Sequence, residues 1–429
     1  MAFPAVVTLQ CAVQQYAWGR IGSDSAVATL SQSGSKTFEM KVDQPYAELW
    51  MGTHPKGPSS VSSSAHTGTL LSDWIAKQPE CLGSKVRAKF GDQLPFLFKV
   101  LSVNKSLSIQ AHPNKAHAEQ LHAERPDKYP DPNHKPEMAL ALTPFEGMNG
   151  FRPVKQICAF LDMVPELRAV VGEEAASELK AALTASGGEG KTEECRAALR
   201  KCFSAIMTRD ISEMTAQLDK LIKRLQAEEA AGKDLTQNNG ALVLRLQGQF
   251  PGDVGCFVSY LFNHVILEPG QAMFLGPNEP HAYLSGNCME CMACSDNVVR
   301  AGLTPKFKDI PTLCDMLTYL PSTPAERVFP SRTDPSDPTL TIYDPPVPDF
   351  AVARIKVPAE QTSYTLRAED SASIVIIIEG DGAVTHPSLG DGQSLLFCKG
   401  SVLFLSANQT LSFTLQSGLL AFRAFCPLD

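Results

Sequence analysis

The feature of this sequence that most constrains its fold is a change of hydrophobic period along the chain. Up to about residue 152, short apolar runs such as 94–103 are bounded by turn residues, which is typical of buried strands. From 153 to 249, apolar residues recur at the spacing of a helix face, among alanines and charged residues. From 250 onward, short apolar runs return. The sequence therefore predicts a mainly β fold that is interrupted by an α-helical insertion.

The helical block contains three segments with amphipathic spacing, at 174–185, 193–207 and 212–230. The apolar stripe of the third segment consists of Met214, Leu218, Leu221, Ile222 and Leu225. Residues 186–190 read Ser-Gly-Gly-Glu-Gly, which predicts an exposed loop between the first two helices.

The last third of the chain has the character of a β-sandwich. The apolar run 257–267 predicts a strand, which a Glu-Pro-Gly turn ends. Residues 321–348 are rich in Pro, Ser and Asp and predict a linker. From 351, short apolar runs at even spacing alternate with glycine turns, which is typical of a sandwich or jelly roll. The strands predicted there include 373–378, 394–397, 402–405 and 419–425.

The charge balance limits the classes of partner. Thirty-eight Lys and Arg stand against 46 Asp and Glu, a net charge of −8, which argues against nucleic acid or an anionic membrane as the main partner. No segment is long and apolar enough to span a bilayer, and residues 1–20 lack the features of a secretory signal. The 12 cysteines show no disulfide-framework spacing, as expected of free thiols. We therefore expect a cytoplasmic protein.

Polar motifs beside the apolar runs carry candidate metal ligands. Gln110 and His112 lie two apart on a predicted strand, so both project to the same side, together with Ser108. Glu137 and His281 belong to two later motifs. A mixed set of nitrogen and oxygen donors suits zinc in a site that keeps a position open. Spacing alone does not bring these residues together, and a Gln-x-His on a strand is usually an ordinary polar pair.

One cysteine motif offers an alternative site. Cys291 and Cys294 form a C-x-x-C, and Cys288 precedes them by three residues. Such a motif serves in redox centres or as half of a four-thiolate zinc site. No second C-x-x-C follows to complete that site. We therefore interpret these cysteines as buried free thiols.

Seven motifs in the same order resemble those of the type I phosphomannose isomerases, a family of sugar-phosphate isomerases, along nearly the whole chain. The helical region matches least. The motifs are CAVQQYAWG (11–19), YAELWMGTHP (46–55), LPFLFKVLS (94–102), SIQAHPNK (108–115), NHKPEMALALTPF (133–145), ECMACSDNVVRAGLTPK (290–306) and YDPPVPDF (343–350).

The resemblance implies cupin-type jelly-roll β-sandwiches with an inserted helical domain. The expected units are the first part of a catalytic cupin-like domain (1–152), the helical insertion (153–249), the second part of the catalytic domain (250–330) and a C-terminal cupin-like domain (331–429). The family's zinc ligands fall on Gln110, His112, Glu137 and His281, which implies one Zn²⁺ per chain, and its essential arginine falls on Arg300.

The resemblance also implies a reaction, the interconversion of mannose 6-phosphate and fructose 6-phosphate through an enediolate, in the supply of GDP-mannose for glycosylation. A zinc ion would act as a Lewis acid on the sugar oxygens. A general acid/base is needed as well, and the candidates are Glu290, Lys135 and His54. Glu290 is preferred, although it could instead orient a ligand or pair with Lys135.

The expected partner is a small phosphorylated sugar, bound by a monomeric protein. Arg300, Lys306, Lys99 and Ser108 are candidates for the phosphate, because arginine offers two parallel donors and lysine a point charge. Asp296, Tyr283 and Trp18 are expected to line the pocket. Two other functions stay open: a different metal enzyme on the same scaffold, such as another isomerase or an oxygenase, and a sugar-binding protein without catalysis.

Overall fold

The computed structural model describes residues 4–63 and 66–428. The strands before the helical insertion are β1 (Val6–Gln10), β2 (Ala12–Gln14), β3 (Arg20–Ile21), β4 (Pro45–Tyr46), β5 (Glu48–Met51), β6 (Ser60–Val61), β7 (Phe96–Val103), β8 (Ile109–Ala111), β9 (Glu137–Ala141) and β10 (Phe145–Phe151). The helices among them are α1 (Ala26–Gly34), α2 (Leu71–Lys77), α3 (Ser84–Phe90) and α4 (Lys115–Glu124).

The insertion lies between β10 and the next strand of the same sheet. Its helices are α5 (Val154–Met163), α6 (Pro165–Val171), α7 (Glu173–Ala185), α8 (Glu193–Thr208), α9 (Ile211–Ala230), α10 (Gly240–Gln249) and α11 (Gly255–Val258). The stripe predicted for α9 faces the core, where Met214, Leu218, Leu221 and Leu225 are buried. Asp210 caps α9 by accepting the backbone N–H groups of Ser212 and Glu213.

The remaining elements are β11 (Phe262–Leu267), β12 (Ala272–Leu275), β13 (His281–Ala293), β14 (Val299–Gly302), α12 (Ile310–Met316), β15 (Arg332–Asp334), β16 (Asp337–Tyr343), β17 (Ala351–Val357), β18 (Ser363–Leu366), β19 (Ser373–Glu379), β20 (Gly382–Thr385), β21 (Leu395–Phe397), β22 (Val402–Leu405), β23 (Leu411–Leu415) and β24 (Leu419–Phe425). The strand predicted over 257–267 is wrong in its first half, where α11 ends the insertion. An apolar run of this length is compatible with either a buried helix or a strand.

A ten-stranded sheet forms the first jelly roll, and the 13-residue strand β13 belongs to both of its halves. The first part of β13 pairs with β10 and β8, and β8 pairs in turn with β14. The second part of β13 pairs with β7 and β9. Through β13, residues far apart in sequence come to line one side of the sheet.

Side chains of β7 and β13 alternate between the two faces of this sheet, as successive residues of a strand must. Lys99 on β7 and Glu290 on β13 line a cavity. Their neighbours Phe98, Val100 and Met289 point the other way, into a core that includes residues of the C-terminal sheet. The alternation explains why a lysine interrupts the apolar run of β7.

The C-terminal unit packs an eight-stranded sheet against a four-stranded one, and the smaller sheet has the order β18-β23-β20-β21. The larger sheet has the order β15-β16-β17-β24-β19-β22-β1-β6, so two strands from the beginning of the chain complete it. Two of its strands, β15 and β16, lie within 321–348, so the prediction of a plain linker is wrong there. Residues 339–343, Thr-Leu-Thr-Ile-Tyr, are residue types that favour strands.

The eight-stranded sheet is covered on both faces. Ile374 and Ile376 of β19 belong to the core shared with the catalytic sheet, whereas Val375 and Ile377 belong to the core inside the C-terminal sandwich. A strand buried on both sides is apolar at nearly every position, which accounts for the run Ile-Val-Ile-Ile-Ile that begins at Ile374 of β19. The predicted fold class, mainly β jelly rolls with an inserted helical domain, is confirmed, and the exact domain limits stay a prediction.

Within the described residues, the search for a bilayer-crossing helix finds none of sufficient length and hydropathy.

Candidate metal centre and active site

Three adjacent strands place Gln110, His281 and Arg300 side by side. Gln110 of β8 lies opposite His281 of β13 and, on its other side, opposite Arg300 of β14. Residues directly opposite each other on antiparallel strands present their side chains on the same face. Gln110 and Arg300 both line a cavity of about 500 Å³. The register therefore joins two of the predicted ligands to the predicted essential arginine.

His112, Glu137 and His281 form a compact buried cluster. The Nε2 atoms of His112 and His281 lie 3.6 and 3.4 Å from Oε2 of Glu137. One ligand atom from each of the three residues falls within 4.8 Å of the others. Each side chain is at most 3% exposed. These distances leave room for a metal ion among the three donors.

Backbone carbonyls set the orientation of both histidines. Nδ1 of His112 donates to the carbonyl of Asn297 over 2.7 Å, and Nδ1 of His281 donates to that of Glu279 over 3.1 Å. A carbonyl only accepts, so each Nε2 of a neutral ring presents a lone pair to Glu137. Among the described residues, both Nε2 atoms and Oε2 of Glu137 lack a hydrogen-bond partner. Three buried acceptors facing one another are unfavourable without a cation, so the cluster fits a bound metal.

The protonation states also suit a metal site. Burial lowers the pKa of His112 to about 4, so the ring is neutral at pH 7. Burial alone would raise the pKa of Glu137, but Lys135 and His112 outweigh it and hold the pKa well below its usual range. Lys135 contributes through an ion pair of 3.3 Å with Oε1 of Glu137. The donor set therefore consists of neutral imidazoles and a carboxylate.

Glu290 is held by a second buried network. Its Oε2 accepts from Nζ of Lys99 over 2.9 Å, and its Oε1 accepts from the hydroxyl of Tyr283 over 2.8 Å. Glu48 lies 3.7 Å from the same Nζ. Burial raises the pKa of Glu290 and outweighs the opposing effect of Lys99. The pairing of Glu290 with Lys135 considered from the sequence is wrong, because Lys135 pairs with Glu137 instead.

Lys99 is charged within this network. Burial by itself would lower the pKa of Lys99, but Glu290 and Glu48 outweigh it and raise the pKa. The ammonium also lies 5.1 Å from the ring centroid of Trp50, and the indole N–H of Trp50 donates to Glu48. Lys99 lines the cavity, and Glu290, Glu48 and the ring of Trp50 stabilise its positive charge.

Part of the cavity wall is rich in cations that have no acidic partner among the described residues. Arg300, Lys306 and Ser108 line it, together with Lys105. Burial lowers the pKa of Arg300, and the described residues supply no carboxylate that raises it. An arginine remains charged under these conditions because its ordinary pKa is so high. This cation-rich part of the cavity is therefore suited to an anionic group.

The other predicted lining residues also reach the cavity. Asp296 pairs with Nζ of Lys56 over 2.7 Å and lies 3.6 Å from Nε2 of His54. The ring of Trp18 lies 5.9 Å from that of Tyr16, and both rings line the wall. All the predicted site residues except the buried His112 and His281 line this one cavity.

Several cavity residues escaped the sequence analysis. Glu48 and Trp50 stand two apart in the motif 46–55, a spacing that places both on one face of a strand and that could have identified them. Lys105 and Ser106 follow β7 in a loop, and Phe250 comes from the end of the helical insertion. Those three positions carry no local sequence signal, because the tertiary fold alone brings them to the cavity.

The cysteines form no metal cluster in the part of the chain that the structure describes. All 12 are free thiols, and Cys288 and Cys291 are buried. Burial raises the pKa of both thiols well above the usual range, which disfavours the reactive thiolate. The geometry agrees with the interpretation as buried free thiols for Cys288 and Cys291, whereas Cys294 is a half-buried free thiol.

Comparison with known proteins identifies the family. A model of the type I phosphomannose isomerase catalytic domain matches residues 6–154, one of the helical insertion domain of that family matches 170–262, and one of its C-terminal region matches 341–386. Mannose-6-phosphate isomerase of Bos taurus is 50% identical over 430 residues and that of Homo sapiens 49%, with 100% of each chain covered.

Solved structures agree in fold over the whole chain. A variant of phosphomannose isomerase from Salmonella typhimurium has a TM-score of 0.81 at 31% identity and covers 99% of this chain and 100% of its own. A mannose 6-phosphate isomerase bound with zinc and yttrium has a TM-score of 0.80 at 31% identity, with the same coverage. These neighbours share both the sheets and the helical insertion described above.

Proposed function

The chain belongs to the type I phosphomannose isomerase family, and from this premise we propose that it interconverts mannose 6-phosphate and fructose 6-phosphate with the help of one bound zinc ion. Identity of about half over the full length of curated mannose-6-phosphate isomerases supports this activity, an aldose–ketose isomerisation. The observation that carries the proposal is the cluster of three acceptors beside a cavity lined by Arg300, none of which has a hydrogen-bonding or acidic partner among the described residues.

One zinc ion per chain is proposed at Gln110, His112, Glu137 and His281. The convergence of the three charged or imidazole donors supports this set, and the register of Gln110 opposite His281 places an amide next to them. Nitrogen and oxygen ligands without thiolate are typical of a catalytic zinc site with an open position. Zinc bound there would act as a Lewis acid that polarises the carbonyl and hydroxyl oxygens of the opened sugar.

Arg300, Lys306 and Ser108 are proposed to bind the phosphate or the developing negative charge. Arg300 has a guanidinium that reaches the cavity without an acidic partner, and two parallel N–H groups match a phosphate or a diolate. Lys306 is exposed at the cavity and adds a point charge. Lys99 is assigned a different role from the phosphate contact considered first, because its ammonium pairs with Glu290.

Glu290 is proposed to move the proton between the two reacting carbons. The base removes the proton from C2 of the opened aldose, and the resulting enediolate accepts it back at C1. The hydroxyl proton passes from the C2 oxygen to the C1 oxygen, which leaves the ketone at C2. A carboxyl whose pKa is raised by burial takes up a proton more readily than a free carboxyl, which suits a group that accepts this proton and returns it.

Lys135 and Lys99 are proposed to assist this proton transfer, each through a different carboxylate. Lys135 lies beside Glu137 and adds positive charge next to the proposed zinc ligands. Lys99 and Tyr283 fix the two oxygens of Glu290. His54, the remaining candidate for acid/base catalysis, is oriented by Asp296 on another wall of the cavity. The cavity residues Asp296, Tyr283 and Trp18 are proposed to contact the sugar.

The cellular setting is proposed from the family. A supply of mannose 6-phosphate for GDP-mannose synthesis and glycosylation, a monomeric state and a cytoplasmic location are the expectations that accompany the activity. Free cysteines throughout the chain are in keeping with a reducing compartment.

A coupled assay on mannose 6-phosphate, before and after chelation, tests the function. We expect activity to disappear with the metal and to return when zinc is added back, with one zinc per 46.4 kDa chain by elemental analysis. Turnover of a different sugar phosphate in place of mannose 6-phosphate would favour another isomerase on this scaffold. Dependence on iron and oxygen would favour an oxygenase. Binding of the substrate without turnover would favour a sugar-binding protein.

A further inference from the structure

Two loops carry the two lysines of the cation-rich part of the cavity, whereas Arg300 lies on strand β14. The loop 104–108 follows β7 and carries Lys105, while the segment 303–306 follows β14 and carries Lys306. Lysine side chains on free loops bind phosphate weakly, because ordering them costs conformational entropy. The surroundings of these loops therefore decide how well the cavity binds an anion.

The end of the helical insertion contacts the first loop. Gln249, the last residue of α10, accepts the backbone N–H of Ser106 over 2.9 Å through Oε1. The ring of Phe250 lies 4.4 Å from Nζ of Lys105, which is a cation–π contact. Phe250 itself lines the cavity, whereas Gln249 lies behind the loop. The insertion thus fixes both the backbone and the ammonium of this loop.

The same segment contacts the second loop through Asp253. Its Oδ1 accepts the backbone N–H of Gly255 over 2.7 Å and that of Leu303 over 2.6 Å. Its Oδ2 accepts the N–H of Thr304 over 3.2 Å. Leu303 has a φ of +53°, a left-handed conformation that is uncommon for a leucine. Of the three backbone N–H groups that Asp253 accepts, those of Leu303 and Thr304 belong to this strained turn, so the carboxylate holds it in place.

The backbone at the end of β14 also approaches the backbone of the helical insertion closely, at Gly302 and Gly255. A Cβ added to Gly302 would lie 2.8 Å from Cα of Gly255, so only glycine allows the approach at that position. The close approach directs the chain after β14 along the end of the insertion and brings Lys306 to the cavity. The segment 303–306 and the end of the insertion therefore pack together as one unit.

We propose that residues 249–255 of the helical insertion position the phosphate-binding loops, with Gln249 and Asp253 as positioning residues and Lys105 as a further phosphate-binding residue. This inference rests on the proposed function, since it takes the anionic group to be the phosphate of the sugar. It gives the insertion a part in substrate affinity, although most of its helices lie away from the cavity. Holding both loops in advance removes the entropy cost from the binding step.

The principal test is Asp253→Asn in the zinc-loaded enzyme. The amide keeps the shape but turns an NH₂ group toward a backbone donor, so the turn at Leu303 loses part of its support. We expect KM for mannose 6-phosphate to rise by about tenfold, as for the loss of one charge-assisted hydrogen bond. The turnover number and the zinc content should stay close to those of the wild type. The inhibition constant of inorganic phosphate should rise in parallel with KM.

Asp210→Asn is the matched control. Asp210 also accepts two backbone N–H groups in the helical insertion, but it does not line the cavity or touch either loop. Its replacement should leave both KM and the phosphate constant unchanged. A rise in KM in this variant as large as in Asp253→Asn would overturn the proposal, since any damage to the insertion would then have the same effect.

Phe250→Leu and Lys105→Met, which remove the two partners of the cation–π contact, provide a second test if Asp253→Asn does not fold. Both are expected to weaken binding of inorganic phosphate, measured by calorimetry on the zinc-loaded protein, with the larger effect for Lys105→Met. Unchanged phosphate binding in all three variants would overturn the proposal, as would a fall in turnover at constant KM. If the wild type does not isomerise mannose 6-phosphate while phosphate binding follows this order, the proposed function fails and the positioning role stands.

Discussion

At the scale of single residues, Glu137 connects the proposed metal site with the charges around it. Its Oε2 lies among the two imidazole Nε2 atoms, and its Oε1 pairs with Lys135. One buried carboxylate therefore contacts both histidines of the proposed metal site and the ammonium of Lys135. Replacement of Glu137 would disturb both at once, so its effect on catalysis and on zinc content must be measured together.

Replacement of Arg300 by alanine is expected to reduce turnover about a hundredfold, which corresponds to about 2.7 kcal/mol of transition-state stabilisation. The physical reason is the loss of a fixed positive charge in the cavity at a position without an acidic partner. Arg300→Lys keeps the charge and loses the fork, so its activity should be intermediate. The measurement is steady-state kinetics on mannose 6-phosphate, with zinc content and thermal unfolding followed in parallel. Near wild-type turnover with normal zinc would contradict the role.

Glu290→Gln is expected to lower turnover by about 10²- to 10⁴-fold, the range of a lost general acid/base. The single variant also leaves Lys99 with only Glu48 as a charged partner, and breaking a buried pair costs about 3–5 kcal/mol. The triple variant Glu290→Gln/Lys99→Met/Glu48→Gln removes all three charges of this network and should regain most of the stability. Its activity should stay low if Glu290 transfers protons. Recovery of activity together with stability would show that Glu290 is structural.

The sequence could name the candidate ligands and Arg300 because each stands in a motif of the family. It could not pair Lys99 with Glu290, because 191 residues separate them and only the register of β7 with β13 brings them together. The same reason accounts for Lys105 and Phe250, which meet only in the folded chain. Local patterns identify residue types, whereas pairings between distant strands need the tertiary structure.

At the scale of secondary-structure elements, β13 organises the site. Its 13 residues carry His281 at one end and Glu290 further along, and the strand joins the two halves of the sheet. The helical insertion attaches beside it through β10, where Glu146 forms an ion pair with Arg245 of α10. The insertion is therefore held by charge as well as by its apolar core.

The pair of Glu146 and Arg245 predicts a pH dependence of stability. His264 and Arg245 outweigh the effect of burial and lower the pKa of Glu146 to about 2. A folded pKa below the unfolded value of about 4.3 gives stability that is present above that pH and is lost as the pH falls toward 2. Glu146→Gln should therefore lower the free energy of unfolding by about 1 kcal/mol at pH 7, after allowance for solvent screening. The difference from the wild type should shrink below pH 4.

Urea unfolding midpoints between pH 7 and pH 3 check this expectation. Glu173→Gln is the control, because Glu173 forms an exposed pair with Arg168 on the surface of the insertion. A constant difference between Glu146→Gln and the wild type at every pH would contradict the ion-pair explanation.

Element types were predictable from the sequence where periodicity was long and strong. Helices α7, α8 and α9 begin and end within a residue or two of the predicted limits, and β22 and β24 coincide with them. The errors fall at 257–267 and 321–348, where a short apolar run and a Pro-rich segment gave no decisive period. In both places, packing against a neighbouring element selected the structure that the local sequence left open.

At the scale of the whole molecule, the C-terminal sheet packs against the face of the catalytic sheet that lies opposite the cavity. Met138, Met289 and Phe98 lie next to site residues on their strands but point into the core shared with Ile374 and Ile376. Stability of the C-terminal unit and order of the active site are therefore coupled, even though the cavity itself lies on the other face of the sheet.

Ile376→Ala is expected to destabilise the protein by about 2–5 kcal/mol, as for other deletions of a fully buried aliphatic side chain. Zinc release to a chromogenic chelator should accelerate, because Ile376 packs on the sheet that carries the proposed ligands. Ile377→Ala is the matched control, since the neighbouring side chain faces the core of the C-terminal sandwich. Equal rates of zinc release in the two variants, at similar loss of stability, would contradict the coupling.

The pairing of β1 with β22 has a consequence for how the protein is made. Strand β1 is synthesised long before its partner at Val402–Leu405. At about 5–20 residues per second, roughly 20–80 s separate the two events. The C-terminal sheet therefore cannot close until β22 has been synthesised. Throughout that interval β1 has only β6 as a neighbour in this sheet, and its other edge is open to chaperones that bind exposed β segments.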